Sequence, residues 1–455
     1  MKKLSIIHIA SSLILIGIFF IPFNSWEGVG FLGEFYRDSC FLFFSIAFMF
    51  LVFKRKIKIP YQNIIFQFLI LLITWSLVAT ILNTPNILEY FFKKTTGVER
   101  FINQYGALII CTILLPITFY NALFTLDINK LFFRIRKILL ASLTIVLAYA
   151  FIEVLIVKFG MLDLKIMVLN IFDYFPFTEA KIDLRSSRIS SVSFEAPALG
   201  TYLLSISGWM FSYIITSNSK WKYIPTIIVV VLAFLSGSRA AFFITIIQTL
   251  VFIVILLRNT RHSKTFLKTS FSFMLVSFVL FGVYSKEITG YVKNEIQSFK
   301  LDDEQHSNSN KSRFGIQQAM FKVFLENPLV GTGYGLQAFE SRKYYPVWAK
   351  RNNWEFREMY LNQNDERFPP GYNIYLRFLS ETGLVGFLIF CGLLIQVFLW
   401  CYNNFNKHNL YSTVILISMI GFSMNWLKMD SFRIYAFWLC LALIFLMESK
   451  KLKNA

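Results

Sequence analysis

Long apolar runs recur along the whole chain, and they constrain its fold more than any other feature. Phe101–Tyr120, Ala196–Thr216 and Gly383–Tyr402 each approach the roughly 20 residues that a helix needs to cross a hydrocarbon layer about 30 Å thick. Hydrophobic side chains make up 56% of the 455 residues and charged ones only 16%, which is more apolar surface than one water-soluble core can bury. The sequence therefore excludes an ordinary soluble enzyme and predicts an all-α integral membrane protein.

The apolar runs, separated at their polar breaks, predict about 12 transmembrane helices. Those that begin near residues 39, 223 and 434 are short for a full crossing, and thinning of the bilayer or burial within the bundle accounts for such lengths. The predicted spans are Leu4–Ile21, Ser39–Phe53, Tyr61–Leu82, Phe101–Tyr120, Ile138–Val157, Ala196–Thr216, Tyr223–Leu235, Ala240–Leu257, Thr269–Tyr284, Gly383–Tyr402, Leu410–Trp426 and Ile434–Met447.

The net charge of +19 is distributed unevenly between the two predicted membrane sides. With both termini inside, the inner segments carry 20 basic residues and only two acidic ones, Asp127 and Glu448. Such an excess is the positive-inside signal that orients membrane proteins. Nucleic-acid binding would instead require a basic patch on a folded domain, and the sequence gives no sign of one. The expected partner of this charge is therefore the lipid bilayer.

The predicted spans divide the chain into three parts. Residues 1–284 form the first nine spans of a transmembrane bundle, residues 285–371 form one large outer loop, and residues 372–455 form a re-entering helix followed by the last three spans. A second, shorter outer segment covers Lys158–Glu195. The chain shows no repeat of fixed period and no pair of matching halves, which disfavours a transporter built from duplicated halves.

The large outer loop begins with a polar stretch and continues with patterned segments. Leu301–Lys311 is typical of a solvated linker, whereas the apolar spacing of Arg313–Glu326 predicts an amphipathic helix. Three glycines at alternate positions in Gly331–Gly335 favour close backbone packing or a flexible turn, since no nucleotide-binding motif follows them. The acids of Asp302–Glu304 fit a solvated turn better than a metal site, so neither a metal nor a cofactor is predicted.

Four ionisable residues stand at the outer ends of predicted spans or loop helices, where charge is costly in lipid and marks functional sites. Arg239 ends the motif Ser236–Arg239 between two spans, and Arg313 opens the loop helix. Glu195 and Glu381 lie at the outer ends of two other spans. The guanidinium fork matches phosphate oxygens without a metal, and a nearby carboxylate can accept a proton from an attacking hydroxyl. These residues therefore fit a lipid diphosphate and a hydroxyl nucleophile.

Each of these residues also has a purely structural interpretation. Arg239 can cap a helix end or extend to the membrane interface, and Arg313 can be an ordinary surface residue. Glu195 and Glu381 can be buried carboxylates that pair with an arginine or cap a helix. The many aromatic residues of the outer loop fit stacking on sugars and packing on the membrane equally well. Residue types and spacing alone leave these alternatives open.

Four motifs, in their order and spacing, resemble the O-antigen ligase and polymerase (Wzy-type) superfamily. They are Ser236–Arg239, Lys311–Arg313, Asn327–Gly335 and Tyr372–Gly386. With their surroundings they cover about residues 225–400. The resemblance implies a bacterial inner-membrane glycosyltransferase with a GT-C-like helical bundle. It would act without metal, at the periplasmic face, on undecaprenyl-diphosphate-linked sugars.

The resemblance also assigns expected roles to individual residues. The two arginine motifs of the family imply that Arg239 and Arg313 contact the lipid diphosphate. The ligase pattern has His-Asn at the start of its last motif, where this chain has Tyr372 and Asn373. A phenol, with a pKa near 10, is a poor base at neutral pH, which favours the polymerase branch. Two further arginines of the shorter outer segment then become candidates for holding a second lipid-linked substrate, Arg185 and Arg188.

The resulting hypothesis is an O-antigen polymerase. The growing glycan on one undecaprenyl diphosphate moves, with inversion, to a sugar hydroxyl of a repeat unit on another. Glu195 or Glu381 handles that hydroxyl, oriented by Tyr372 and Asn373. The expected partners are undecaprenyl-diphosphate-linked oligosaccharides and a chain-length regulator protein. Two alternatives are an O-antigen ligase that uses lipid A core as acceptor and, from another class, a polysaccharide flippase, which the single dominant outer loop of 87 residues disfavours.

Overall fold

The computed structural model describes residues 6–55, 57–172, 175–179, 182, 184, 188–258, 307–406 and 409–454. This part of the chain is predominantly helical, with shorter 3₁₀ or π-helical turns at Gly30–Phe35, Ile110–Leu114, Lys220–Tyr223, Arg342–Tyr344 and Glu355–Tyr360. Strands β1 (Phe91–Phe92) and β2 (Thr95–Thr96) form an antiparallel hairpin with Phe91 opposite Thr96. The α-helices are α1 Ile6–Phe19, α2 Ser39–Phe53, α3 Ile64–Leu82, α4 Thr84–Glu89, α5 Gly97–Ile109, α6 Leu115–Leu123, α7 Ile128–Val157, α8 Asp163–Phe172, α9 Ala196–Thr216, α10 Ile224–Leu235, α11 Arg239–Arg258, α12 Ser307–Glu326, α13 Gln337–Ser341, α14 Val347–Lys350, α15 Ile374–Asn404, α16 Asn409–Asn425 and α17 Tyr435–Asn454.

A helix lies at each predicted span that the described residues cover. Within that part of the chain, six helices are long and apolar enough to cross a membrane, namely α3, the continuous helix Gly97–Leu123, α7, α9, α11 and α15. The predicted span Thr269–Tyr284 lies outside the described residues. The structure thus supports a helical membrane protein, whereas the total of about 12 spans and the periplasmic position of the outer loop stay predictions.

Close approach between α9 and α11 sets the geometry at one end of the bundle. Gly200 faces Ala241, and a Cβ added at Gly200 would lie only 2.6 Å from the Ala241 Cβ. Further along both helices, Gln248 Nε2 donates a hydrogen bond to Leu204 O at 3.0 Å. Small residues and interhelical hydrogen bonds are the usual means of helix association in lipid. These contacts make α9 and α11 parallel, so that their N-termini lie side by side.

The glycine-rich segment Gly331–Gly335 packs against a break in α15. Gly383 interrupts the helix with φ +66° and ψ −169°, and a Cβ there would lie 2.2 Å from the Leu329 backbone. The N–H groups of Thr332 and Gly333 donate to the carbonyls that precede the break, at 3.0 and 2.9 Å. The prediction of close backbone packing is therefore confirmed, and only glycine can occupy the break without a clash.

The predicted linker Leu301–Lys311 is helical over its final residues. Helix α12 begins at Ser307, before the predicted start at Arg313, so the prediction of a solvated linker is wrong for residues 307–311, while residues 301–306 lie outside the described part. The buried Asn353 amide donates to Ser312 Oγ at 2.9 Å and to Asn308 O at 3.1 Å. These long-range hydrogen bonds stabilise a polar first turn that apolar periodicity does not indicate.

Lys93, in the turn between β1 and β2, ties the segment that follows α14 to the rest of the molecule. Its side chain is 2% exposed, and its Nζ donates to the carbonyls of Met359, Asn362 and Asp365 at 2.5, 3.1 and 2.8 Å. A buried ammonium needs such partners to offset its desolvation. The three carbonyls lie within seven residues of one another, so one lysine fixes the whole turn.

Lys93→Met should loosen this turn. The substitution removes the donor shared by three partly buried carbonyls, at a cost of roughly 1–3 kcal/mol for each one that water does not reach. We expect amide hydrogen exchange across residues 359–365 to accelerate at least tenfold, while exchange in α9 stays unchanged. Lys94→Met is the matched control, because the neighbouring Lys94 is exposed. Equal exchange in the two variants would contradict the role given to Lys93.

Candidate functional site

The N-termini of α9 and α11 bring several of the predicted residues into one region. Glu195 directly precedes α9, and half-buried Arg239 is the first residue of α11. The turn before α11 includes Gly237 with φ +65°, where an added Cβ would lie 2.8 Å from the Arg188 Cγ. The Arg188 side chain therefore packs directly on the Ser236–Arg239 turn. Arg185, which was predicted with it, lies outside the described residues.

Glu195 is accessible to solvent, and the charged groups that act on it most strongly within the described part of the chain are cations. Desolvation by the surrounding protein raises the pKa of Glu195 above its ordinary value, and Arg313, Lys428 and Arg188 oppose that rise electrostatically. The structure thus gathers three cations from distant parts of the sequence around one carboxylate. A carboxyl group with a raised pKa is a better proton acceptor than an ordinary glutamate, which suits it to general-base catalysis beside anion-binding groups.

Arg313 lies in the second turn of α12 and faces Tyr372. Its guanidinium carbon is 5.4 Å from the centroid of the tyrosine ring, which is a cation–π distance. Its Nε is buried and makes no hydrogen bond within the described part of the chain. Because ring stacking leaves the donor edge of a guanidinium available, Arg313 can still bind an anion.

Tyr372 combines an unusual backbone conformation with a partly buried hydroxyl. Its φ is +56°, a left-handed value that costs free energy for a residue other than glycine and that recurs at functional sites. Its hydroxyl shares a hydrogen bond of 2.5 Å with the Tyr360 hydroxyl, and its carbonyl accepts from Gln317 Nε2 at 3.3 Å. Burial raises the pKa of Tyr372 to about 12. The phenol therefore stays protonated at neutral pH and can orient a ligand as a donor.

Asn373 has the contacts of a helix cap. Its Oδ1 accepts from the N–H groups of Tyr375 and Leu376 at 3.0 and 3.2 Å, which satisfies two donors at the start of α15. Asn373 thereby fixes the position at which α15 begins, directly beside Tyr372.

Glu381 is 1% exposed and belongs to a buried ion-pair network. Its Oε2 accepts from Arg377 Nε at 3.0 Å, and its Oε1 accepts from the Gln337 N–H at 3.3 Å. Arg377 also donates to Gln104 Oε1 and to Asp430 O, both at 2.9 Å. These are the contacts of a paired buried carboxylate, one of the two interpretations that the sequence left open.

A small cavity beside this network is lined by residues from distant parts of the chain. Glu34, Gln104, Tyr334, Arg377 and Arg433 contribute its polar wall. Gln104 Nε2 donates to Glu34 Oε1 at 2.7 Å, and the Arg377 guanidinium stacks 5.2 Å from the Tyr334 ring. The Glu34 carboxylate lies 3.7 Å from Arg100 Nη1, and Arg433 donates to the Glu34 carbonyl. The network around the cavity therefore joins the first third of the chain to the last.

Lys428 is the residue of this region that sequence reasoning missed. It follows the C-terminal end of α16, and its Nζ is buried without a hydrogen-bond partner among the described residues. Burial and the nearby Arg313 lower the pKa of Lys428 to about 8, and Glu195 opposes that change. The available signal was its position beside an outer span end, where the positive-inside rule does not account for a lysine.

The central part of the chain is similar to a known protein family. Residues 224–391 match a family model described as O-antigen ligase. The match supports membership of the O-antigen ligase/polymerase superfamily. Together with the apolar helices, it supports a multi-pass membrane enzyme of ligase or polymerase type, acting in surface polysaccharide biosynthesis on lipid-linked glycans. No curated protein matches the chain.

The superfamily match covers only part of the candidate site. Inside it lie the residues of the four sequence motifs, Arg239, Arg313, Tyr372, Asn373 and Glu381. Three charged residues of the site lie outside it: Arg188, Glu195 and Lys428. The group of Glu195 and its cations is therefore assembled from segments within and beyond the matched region.

Proposed function

We propose that this protein is an O-antigen polymerase, a glycosyltransferase that joins undecaprenyl-diphosphate-linked repeat units. The observation that carries the proposal is the cluster of Arg188, Arg313 and Lys428 around Glu195, beside the turn that leads to Arg239. Cations for a diphosphate and a carboxylate for a hydroxyl proton are the two components that this transfer needs. The superfamily match supports ligase or polymerase chemistry in general.

The cations act on the leaving group. Arg239 and Arg313 bind the diphosphate of the donor lipid and stabilise the charge that develops as its bond to the anomeric carbon breaks. Fixed positive groups are effective because they need no reorganisation during the reaction. Arg188, with Arg185 from the same outer segment, holds the second lipid-linked substrate. Because guanidinium groups supply the positive charge, the proposal needs neither a metal nor a cofactor.

Glu195 acts on the nucleophile. It accepts the proton of a sugar hydroxyl while the hydroxyl oxygen attacks the anomeric carbon, and the lipid diphosphate departs from the opposite face, so the transfer inverts the anomeric configuration. Tyr372, as a hydrogen-bond donor, orients the saccharide, and Asn373 positions Tyr372. The ion pair of Glu381 with Arg377 favours Glu195 over Glu381 as the base.

The proposed location is the bacterial inner membrane, with both termini cytoplasmic and the active face periplasmic. The arrangement of charge supports this orientation. Lys220, Lys222 and Arg258 lie at the ends of α9, α10 and α11 that are remote from Glu195, as the positive-inside rule expects of cytoplasmic ends. The long outer segment 307–371 lies at the other end, where a chain-length regulator protein would have access to it.

The lipopolysaccharide of a deletion strain distinguishes the two branches of the superfamily. Loss of a polymerase leaves core capped with a single repeat unit, whereas loss of a ligase leaves bare core. We expect single-unit caps, and restoration of the long-chain ladder by the wild-type protein. Bare core would establish the second candidate, an O-antigen ligase, which the description of the matching family favours.

Glu195→Gln should abolish ladder formation in the complemented strain. Removal of a general base lowers the rate of a transfer step roughly 100- to 10,000-fold, and Glu195→Asp should retain part of the activity. Glu366→Gln is the matched control, because Glu366 is an exposed carboxylate of the outer segment. A normal ladder from Glu195→Gln at normal protein level would exclude Glu195 as the base.

The pH dependence of the rate gives an independent test of Glu195. The base acts in its ionised form, so the rate should fall as pH decreases through the pKa of Glu195. Desolvation raises that pKa, which places the acidic limb above the usual range of glutamate. The measurement is the rate of polymer formation by isolated membranes between pH 4.5 and 8, from which the pH of the acidic limb is read. The same limb persisting in the residual activity of Glu195→Gln would assign it to another group.

A further inference from the structure

We propose that Lys428 is a ligand of the lipid diphosphate, supplied by the turn after α16 and independent of the arginine motifs. The inference rests on the proposed function, since the ligand is the diphosphate named there. Lys428 lies outside the region that matches the superfamily, and it adds an ammonium to the guanidinium groups of the site.

The turn that carries Lys428 is rigidly held against α15. The Ile374 N–H donates to carbonyls on both sides of the lysine, Trp426 O at 3.0 Å and Met429 O at 3.1 Å. The Lys428 N–H itself closes the end of α16 by donating to Asn425 O at 3.0 Å. The backbone at Lys428 therefore keeps one position relative to the start of α15.

Two further contacts connect the same turn to the rest of the site. The Asp430 Oδ2 accepts from the Gly371 N–H at 2.7 Å, one residue before Tyr372. On the other side, Asn425 Nδ2 donates to Thr201 Oγ1 in the first turns of α9 at 3.3 Å. Lys428 is thus positioned between the segment that carries Tyr372 and the helix that Glu195 precedes.

The charge balance around Lys428 indicates an anionic ligand. Its Nζ is buried and has no hydrogen-bond partner among the described residues, although lysine is almost never buried without one. Within the described ranges, the charges that act on it are the like charge of Arg313 and the carboxylate of Glu195. Two cations facing one carboxylate leave an excess of positive charge beside the buried Nζ, which a multivalent anion relieves. A diphosphate offers several acceptor oxygens and enough negative charge for both cations.

The test measures diphosphate binding to the full-length protein purified in detergent. Farnesyl diphosphate, an isoprenoid diphosphate with a short tail, is titrated by calorimetry, and inorganic pyrophosphate is titrated in parallel. We expect Lys428→Met to weaken both ligands at least tenfold and Lys428→Arg to stay within threefold of wild type. Lys322→Met is the matched control, because it removes an exposed lysine of α12 and should leave the affinity unchanged.

The outcomes separate this inference from the proposed function. Wild-type protein that binds neither probe would contradict the lipid diphosphate as ligand, and with it the proposed function. Wild-type protein that binds farnesyl diphosphate while Lys428→Met binds it within twofold overturns the role of Lys428 alone. A loss confined to farnesyl diphosphate also overturns it, because Lys428 is assigned to the headgroup. If Lys428→Met does not purify as a monodisperse protein, Lys428→Gln replaces it with the same expected result.

Glu195→Gln serves as a counter-test of a simpler role for Lys428. If the lysine only neutralised Glu195, removal of the carboxylate would make the lysine dispensable, and Glu195→Gln/Lys428→Met would bind like Glu195→Gln. If Lys428 binds the diphosphate, Glu195→Gln should bind at least as tightly as wild type. The double variant should then still lose at least tenfold relative to Glu195→Gln.

Discussion

Arg377→Met should lower the free energy of unfolding by about 3–5 kcal/mol, the usual effect of removing one partner of a buried ion pair. The arginine is the centre of a network in which Glu381, Gln104 and Asp430 O all accept from its guanidinium. Without it, Glu381 is left as a buried charge without its cation. Unfolding of the purified protein in increasing dodecyl sulfate, followed by tryptophan fluorescence, measures the loss.

A double variant and an exposed pair provide the controls for Arg377. Arg377→Met/Glu381→Met replaces both charges by apolar groups and should recover a large part of the lost stability. Arg367→Met breaks the exposed pair with Asp365 and should have a much smaller effect, since exposed pairs contribute little. Equal destabilisation by Arg377→Met and Arg367→Met would contradict a structural role of the buried network.

Arg313→Ala should reduce the rate of polymer formation roughly 100- to 1000-fold, the usual effect of removing one preorganised group that stabilises developing negative charge. Its Nε is buried without a hydrogen-bond partner among the described residues, its guanidinium stacks on Tyr372, and its charge acts on Glu195. We expect Arg239→Ala to have an effect of similar size. The measurement is the rate at which membranes with equal amounts of protein extend lipid-linked repeat units.

The matched control for Arg313 is Arg351→Ala. Arg351 is an exposed arginine of the same outer segment, and its removal should leave the rate unchanged. Full-length ladders from Arg313→Ala at normal protein level would exclude its proposed role on the diphosphate. The amount of Arg313→Ala protein in the membrane fraction is measured as well, because it distinguishes a loss of activity from a loss of protein.

The bounds of a helix were predictable from hydropathy where the apolar run extends over the whole helix. Ser39–Phe53 and Ala196–Thr216 have the predicted bounds, because a charged or polar residue flanks each end of both runs: Asp38 and Lys54, Glu195 and Ser217. The span predicted from Ile138 instead continues a helix that begins at Ile128. Asp127 caps its start by accepting from the Lys130 N–H at 2.9 Å. A hydropathy profile does not detect such polar first turns, whereas a capping residue in the sequence marks where they begin.

The residues of the candidate site were predictable only where they belong to a sequence motif or stand at a predicted span end. Glu195 stands at a helix start and Arg313 belongs to the short motif Lys311–Arg313, and the structure brings their charges together. The ion-pair partner of Glu381 could also have been predicted from the sequence, since Arg377 precedes it by four residues on one helix face. Lys428 belongs to no motif, and its importance depends on a turn fixed by residues more than 50 positions away. Sequence spacing carries no information on such contacts.

The docking of Gly331–Gly335 into the break of α15 has a consequence for segment exchange between related proteins. The backbone of residues 328–333 is hydrogen-bonded to residues 380–384, so a graft of the outer segment alone would set glycines of one parent against a helix interruption of the other. A residue other than glycine at position 383 would clash with the Leu329 backbone, so the grafted segment could not pack into the break of α15. Chimeras that transfer residues 307–386 as one piece should therefore be inserted and remain active far more often than chimeras cut at residue 371.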